Sequence, residues 1–171
     1  MIAAPHSSNW DFPLTLAIAR LSGVKIQWLG KAQLFKGPMG PIMRRLGGVS
    51  IDRSAATGMV SSLAAEFAAR DSLVLVVPAE GTRSKTEFWK SGFYRIAQEA
   101  KVPIVCAFVD SATRTGGFGP VIQPSGDLTV DMDIVRAFYA GKVGLSKGRS
   151  GVPRLKEEDV DRPQPTGTDA G

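Results

Sequence analysis

"LVLVVPAEGTRSKTEFWKSGFYRIAQEA", residues 73–100, is the stretch whose reading decides the fold. Its opening run, Leu73 to Val77, is aliphatic without polar alternation, the pattern of a strand covered on both faces. Strands of that kind lie in parallel sheets and need crossover helices on those faces. The segment "KSGFYRIAQEA" (90–100) supplies an amphipathic helix directly downstream. Between strand and helix lies "PAEGTRSKTEFW" (78–89), at the strand's carboxyl end. Open α/β sheets place their ligand crevice at such ends.

The pattern repeats outward from this unit. "VKIQWLG" (24–30), "GGVSIDR" (47–53) and "PIVCAFV" (103–109) read as further strands. "PLTLAIARL" follows Asp11, which could cap it, with Pro13 tolerated in the first turn. "TGMVSSLAAEFAARD" (57–71) places Val60, Leu63, Ala64 and Phe67 at helical spacing, and "DIVRAFYAGK" (133–142) reads as a last helix. The expected fold is α/β: a single domain with a mixed, mostly parallel sheet flanked by helices. "RTGGFGPVIQPSG" (114–126) reads as loop and strand edge because of its glycines and prolines. From Ser146 the chain turns polar and rich in Pro and Gly, so residues 1–145 are expected to form the domain and 146–171 a disordered tail.

Composition narrows the function. A chain of 171 residues with 43% hydrophobic and 22% charged residues fits one globular domain. The net charge of +5 favours anionic partners: phosphorylated substrates, membrane surfaces or nucleic acid. The dispersed basic residues, not interleaved with aromatics, argue against nucleic acid. One cysteine, Cys106, can form no internal disulfide, which suits a reducing cytoplasm. With one histidine besides, a His/Cys metal site is not expected. "MIAAPHSSNW" lacks the basic start and apolar core of a secretory leader. No apolar run approaches the roughly 18 residues that span a bilayer, so membrane contact is expected from the surface.

Three stretches carry chemistry. His6 stands five residues before Asp11 in "PHSSNWD" (5–11). Histidine exchanges protons near neutral pH, and a carboxylate fixes its tautomer and stabilises the imidazolium. In an ideal helix their side chains would diverge by about 140°, so they meet only if His6 precedes the helix and Asp11 starts it. The alternative is a polar helix cap with an incidental histidine. In the second stretch, Gly81 lets the backbone turn closely, and Thr82, Arg83, Ser84 and Lys85 offer hydroxyls and cations before a helix. Arginine's planar fork matches phosphate oxygens. Glu80 could orient Arg83 or bond a substrate hydroxyl; an ordinary turn with solvated charges is the other reading.

The third stretch, "KAQLFKGPMGPIMRRLGGVSIDR" (31–53), ends in Arg53, which could reach the same crevice or simply pair on the surface. Within it Leu34, Phe35, Met39, Ile42 and Met43 mix with Lys36, Arg44 and Arg45. This suits a membrane-surface patch, or equally a core-facing segment with a solvated edge. G-x-S-x-G, Walker-type and G-x-G-x-x-G signatures are absent from the sequence.

Taken together and in this order, the three stretches resemble the glycerophospholipid acyltransferase family, the lysophosphatidic acid acyltransferases in particular. His6 to Asp11 matches H-x-x-x-x-D, and Glu80, Gly81, Thr82 and Arg83 match E-G-T-R. Lys31, Pro38, Gly40, Gly47 and Ile51 to Arg53 resemble the family's middle block. "VPIVC" (102–106) has Cys106 where the family usually has a second proline, and "PAEGTR" (78–83) carries its proline one place early. The resemblance covers residues 5 to 110 and implies a glycerolipid acyltransferase-like fold. It implies that His6, held by Asp11, takes the proton of an acceptor hydroxyl that attacks acyl-CoA or acyl carrier protein. It further implies that Glu80, Gly81, Thr82 and Arg83, with Arg53, bind a glycerol phosphate lipid. No metal, cofactor or acyl-enzyme is implied. Only "MIAAP" precedes the first motif, so a cytoplasmic protein peripheral on the inner membrane face is expected. Transfer to a different hydroxyl acceptor, a thioester hydrolase, and a non-catalytic phospholipid-binding module are the alternative expectations.

Overall fold

A computed structural model describes residues 1–5, 8, 10–51, 56–80, 87–146 and 151–159. Along the chain run β1 (Ile2–Ala4), α1 (Asp11–Leu21), β2 (Ile26–Lys31), a 3-10 turn (Ala32–Phe35), α2 (Met39–Arg45) and β3 (Gly48–Ile51). Then follow α3 (Ala56–Ala68), β4 (Val74–Pro78), α4 (Gly92–Ala100), β5 (Ile104–Asp110), β6 (Thr115–Ile122) and α5 (Leu128–Tyr139). A second 3-10 turn, Lys156–Asp159, comes last among the described residues. The strands form one sheet in the order β3-β2-β4-β1-β5-β6. Every pairing is parallel except β5 with β6, the mixed, mostly parallel α/β arrangement expected from sequence.

Two strands were not anticipated. β1 has three residues, two of them alanine, and no pattern to announce it. It is held by its neighbours: Ile2, Ala3 and Ala4 pair with Val76, Val77 and Pro78 of β4, while Ile2 and Ala3 pair with Val105 and Cys106 of β5. The Met1 ammonium donates to Pro103 O at 2.8 Å, and Val105 N donates to Met1 O at 2.8 Å. Tertiary pairing thus overrides weak local propensity. β6 was expected as loop and strand edge because of Gly116, Gly117 and Gly119. A Cβ at Gly116 would come within 2.8 Å of Ile18 Cδ1 in α1, and one at Gly119 within 2.2 Å of the Phe138 ring in α5. Those glycines mark close helix approach to a strand, not a break in it.

The core joins Leu63 of α3, Leu75 of β4, Phe93 and Ile96 of α4, Ile104 of β5 and Met132 of α5. α5 begins at Leu128, earlier than the expected 133, because the Asp127 side chain accepts from Val130 N and caps it.

The expectation of a disordered tail over residues 146–171 needs correction for 151–159. Leu155 is fully buried and forms a parallel bridge with Trp89, whose N–H donates to Arg154 O at 2.7 Å. Glu158 is buried as well; it accepts from Leu155 N at 2.6 Å and from Arg136 Nη1 at 2.6 Å. One leucine in a polar run and one remote ion pair are invisible to a composition argument. Residues 160–171 lie outside the described residues. Leu155→Ala is expected to cost about 2–5 kcal/mol, the range for truncating a fully buried leucine. Urea unfolding measures it; a loss under about 0.5 kcal/mol, typical of exposed sites, would show that this segment is not part of the folded unit.

Candidate active site

In a parallel sheet the carboxyl ends of all strands share one edge, and the motifs leave from that edge. Ala4 of β1 pairs with Pro78 of β4, and Ala79 N donates to Ala4 O at 3.0 Å. The chain therefore enters segment 5–10 and segment 79–86 from adjacent points. β1 lies between β4 and β5, and the chain leaves it toward β2 on one side and leaves β4 toward β5 on the other. Such reversals of winding open a crevice at the strand ends.

Asp11 is the first residue of α1, the placement under which a preceding residue of segment 5–10 can face it. It does not cap its own helix. Trp10 holds the cap position and makes no side-chain cap bond, while Asp11 Oδ2 accepts from Ser8 N at 2.6 Å. The carboxylate is thus turned back onto the segment that carries His6. Glu80 lies just past β4 and is 2% exposed, so its carboxylate is out of bulk solvent. His6, Gly81, Thr82, Arg83 and Arg53 lie outside the described residues. β3 ends at Ile51, two strands away from β4. Arg53 therefore follows from a point roughly 10 Å along the sheet from β4.

Asp11 also lines a cavity of about 560 Å³, bounded by α1, the inner strands, β6, α5 and residues 151–153. Its volume lies within the roughly 300–1,000 Å³ usual for small-molecule sites. Ile2 and Ala4 of β1, Thr15 and Ile18 of α1, and Ala107 and Phe108 of β5 contribute to the wall. Alternation along β1 explains the split: Ile2 and Ala4 line the cavity, whereas Ala3 joins the hydrophobic core. The lining is mostly aliphatic and aromatic, with Asp11, Arg136 and Lys142 as its charged members. Lys142 Nζ sits 4.7 Å and 4.6 Å from the ring centres of Phe108 and Phe138, a cation over two π faces. The chamber is therefore apolar over most of its wall, with the Asp11 carboxylate at one part of its boundary.

Three wall residues were missed by the sequence reading. Tyr139 donates its hydroxyl to Ala107 O at 2.7 Å, and burial raises its pKa, with nearby Glu80 adding a smaller push. Its phenol is neutral at physiological pH. Trp89 is buried, stacks edge-on against Tyr139 at 5.7 Å, and its Nε1 has no acceptor among the described residues. Arg136 holds the roof segment through Glu158. A helical face rich in aromatics around 136–139 was the available signal, but core packing gives the same pattern.

Over residues 1–110 the sequence matches the Acyltransferase family. The chain belongs to the acyltransferase family. No curated protein matches the sequence. Among solved structures it is similar to the 1-acyl-sn-glycerophosphate (LPA) acyltransferase PlsC of Thermotoga maritima, with a TM-score of 0.55 and 20% identity. The similarity covers 81% of this chain and 61% of that one, so this chain spans about three fifths of its length. At this identity the likeness is one of fold.

Within the acyltransferase frame Cys106 needs a reading, since it stands where a proline is usual. It is 1% exposed in β5, and burial pushes its thiol up to about 11. Its sulfur is therefore protonated and inert near neutral pH. A disulfide reagent is expected to leave the folded protein unmodified and to label the single thiol once denaturant is added. Rapid labelling of the folded protein would place Cys106 in the chemistry instead.

Proposed function

We propose that this acyltransferase moves a fatty acyl group from acyl-CoA or acyl carrier protein to a hydroxyl of a glycerol phosphate lipid such as lysophosphatidic acid. The observation that carries the reading is Asp11 on the wall of an apolar cavity, at the strand edge from which both sequence motifs depart. His6 takes the acceptor hydroxyl proton, with Asp11 orienting the imidazole. The oxygen attacks the thioester carbonyl, a new C–O bond forms and the C–S bond breaks. The imidazolium returns its proton to the departing thiolate, so no residue is left modified. General-base assistance of this kind is worth about 10²–10⁴-fold. Arg83, with Gly81, Thr82 and Arg53, binds the phosphate, and buried Glu80 orients that cluster. The acyl chain fills the cavity. No metal or cofactor takes part in these steps.

The test is product analysis by mass spectrometry with acyl-CoA donors of varied length and phosphorylated or unphosphorylated acceptors. Folded His6→Ala and Asp11→Asn are expected to lose about 10²–10⁴-fold in kcat. Arg83→Ala should raise KM for the phosphorylated acceptor more than it lowers kcat, and Arg83→Lys should recover little. Fatty acid release with no acylated product would make the protein a thioester hydrolase and end the transferase reading.

The cavity gives a separate expectation. Ala107→Phe adds a ring to its wall, so kcat/KM for long-chain donors should fall about tenfold relative to short ones, a differential of about 1.4 kcal/mol. Equal effects on all chain lengths would place the acyl group elsewhere.

A further inference from the structure

We propose that the surface formed by residues 31–46 docks this protein onto an anionic lipid bilayer. The 3-10 turn and α2 follow β2 directly, at the sheet edge where the motifs lie. Residues 31–51 contain Lys31, Lys36, Arg44 and Arg45 and no acidic residue. All four cations are exposed. Beside them Leu34, Met39, Ile42 and Leu46 are exposed at 48%, 51%, 50% and 41%. Helical geometry groups Met39, Ile42 and Leu46 within about 60° of arc, a stripe one face of α2 presents to solvent.

The inner side of this segment is already committed. Phe35 is 6% exposed and packs on Trp28 at 5.9 Å between ring centres, so it belongs to the interior and not to the patch. Gly40 is buried against the 3-10 turn, where a Cβ would come within 2.3 Å of Phe35 O. Arg44 Nη2 donates to Phe35 O at 3.2 Å and ties the two pieces together. Met39, Ile42 and Leu46 are by contrast left about half exposed.

Trp28 stacks on Phe12 of the first α1 turn at 4.6 Å, and Asp11 is the residue before. The ring contacts Phe35–Trp28–Phe12 thus link the segment that carries the patch to the first turn of α1, where Asp11 stands. Apolar side chains ringed by cations match a bilayer whose interface is hydrocarbon beneath anionic headgroups. Among the described residues no helix is long and apolar enough to cross a membrane. The inference deepens the lipid-acceptor reading, because a bilayer seated on this patch would present its lipids beside Asp11.

Co-sedimentation of the full chain with phosphatidylglycerol-containing and pure phosphatidylcholine vesicles, without substrate, tests the docking apart from turnover. Binding is expected to the anionic vesicles at about 0.05 M salt and to weaken strongly near 0.5 M, where screening shortens the range of the attraction. Lys36→Glu and Arg45→Glu should each weaken it at least about fivefold. Met39→Ser with Ile42→Ser should weaken it about tenfold with an unchanged circular dichroism spectrum, since both side chains are exposed. Acyl transfer to detergent-dispersed acceptor should be unaffected by these four substitutions. No binding, equal binding to both vesicle types, or binding indifferent to the substitutions would each overturn docking through this surface. So would a dimer in sedimentation velocity that Met39→Ser with Ile42→Ser dissociates, since a second copy would then be the occupant. Turnover by an unsubstituted chain that does not bind vesicles would sink the docking alone; vesicle binding by an unsubstituted chain without turnover would sink the acyl-transfer reading alone.

Discussion

Parallel pairing of β1 with both β4 and β5 is the constraint on which the rest depends. A strand of three residues cannot stand alone, and its backbone groups are satisfied only by two neighbours at once. That double pairing fixes where the chain leaves β1, and hence where segment 5–10 begins. It also fixes β4 in register, so Ala4 faces Pro78 and segment 79–86 begins next to it. Two motifs about seventy residues apart in sequence are brought to one edge by a handful of backbone hydrogen bonds. The Met1 ammonium on Pro103 O adds an anchor at the opposite end of the same strand.

What the sequence made legible follows from this architecture. β4 was readable because a strand buried on both faces must be apolar throughout, and α4 because an amphipathic helix must alternate at its own period. The candidate site was named from functional groups that proton transfer and phosphate binding require, and of its residues Asp11 and Glu80 fall among the described ones. The unreadable parts are those whose cause is remote. β1 is a strand only because β4 and β5 flank it. β6 carries Gly116 and Gly119 because Ile18 and Phe138 need the room. Leu155 is core only because Trp89 extends a bridge to it. Phe35, read together with Leu34 and Met39 as one patch, separates from them because Trp28 and the 3-10 turn claim it.

Under the proposed function, a single chamber would serve opposite chemistries. Hydrocarbon binding demands a wall without unpaired charge, whereas base catalysis demands a carboxylate close by. The protein separates the demands by position. The ionisable wall groups set deepest against the sheet, Cys106 behind the wall and Tyr139 in it, are held neutral by burial. Arg136 stays charged, its guanidinium engaged by Glu158 and Asp133. Asp11, the acidic residue of the described lining, stands at the start of α1, its carboxylate accepting a backbone N–H.

Cys106, at the position where the resemblance leads one to expect proline, is set by packing. β5 pairs with β1 on one side and β6 on the other, and Cys106 falls where the β6 register shifts between Val105 and Ala107. Cysteine fills the space of a small hydrophobe there. Ala3 of β1 is its register partner on one side, small enough for the thiol to pack against. The residue is then chosen by packing at the centre of the sheet, one strand position behind the Ala107 wall that the acyl chain would touch. A departure from the family pattern at this point alters the support of the cavity and leaves its chemical end as it was.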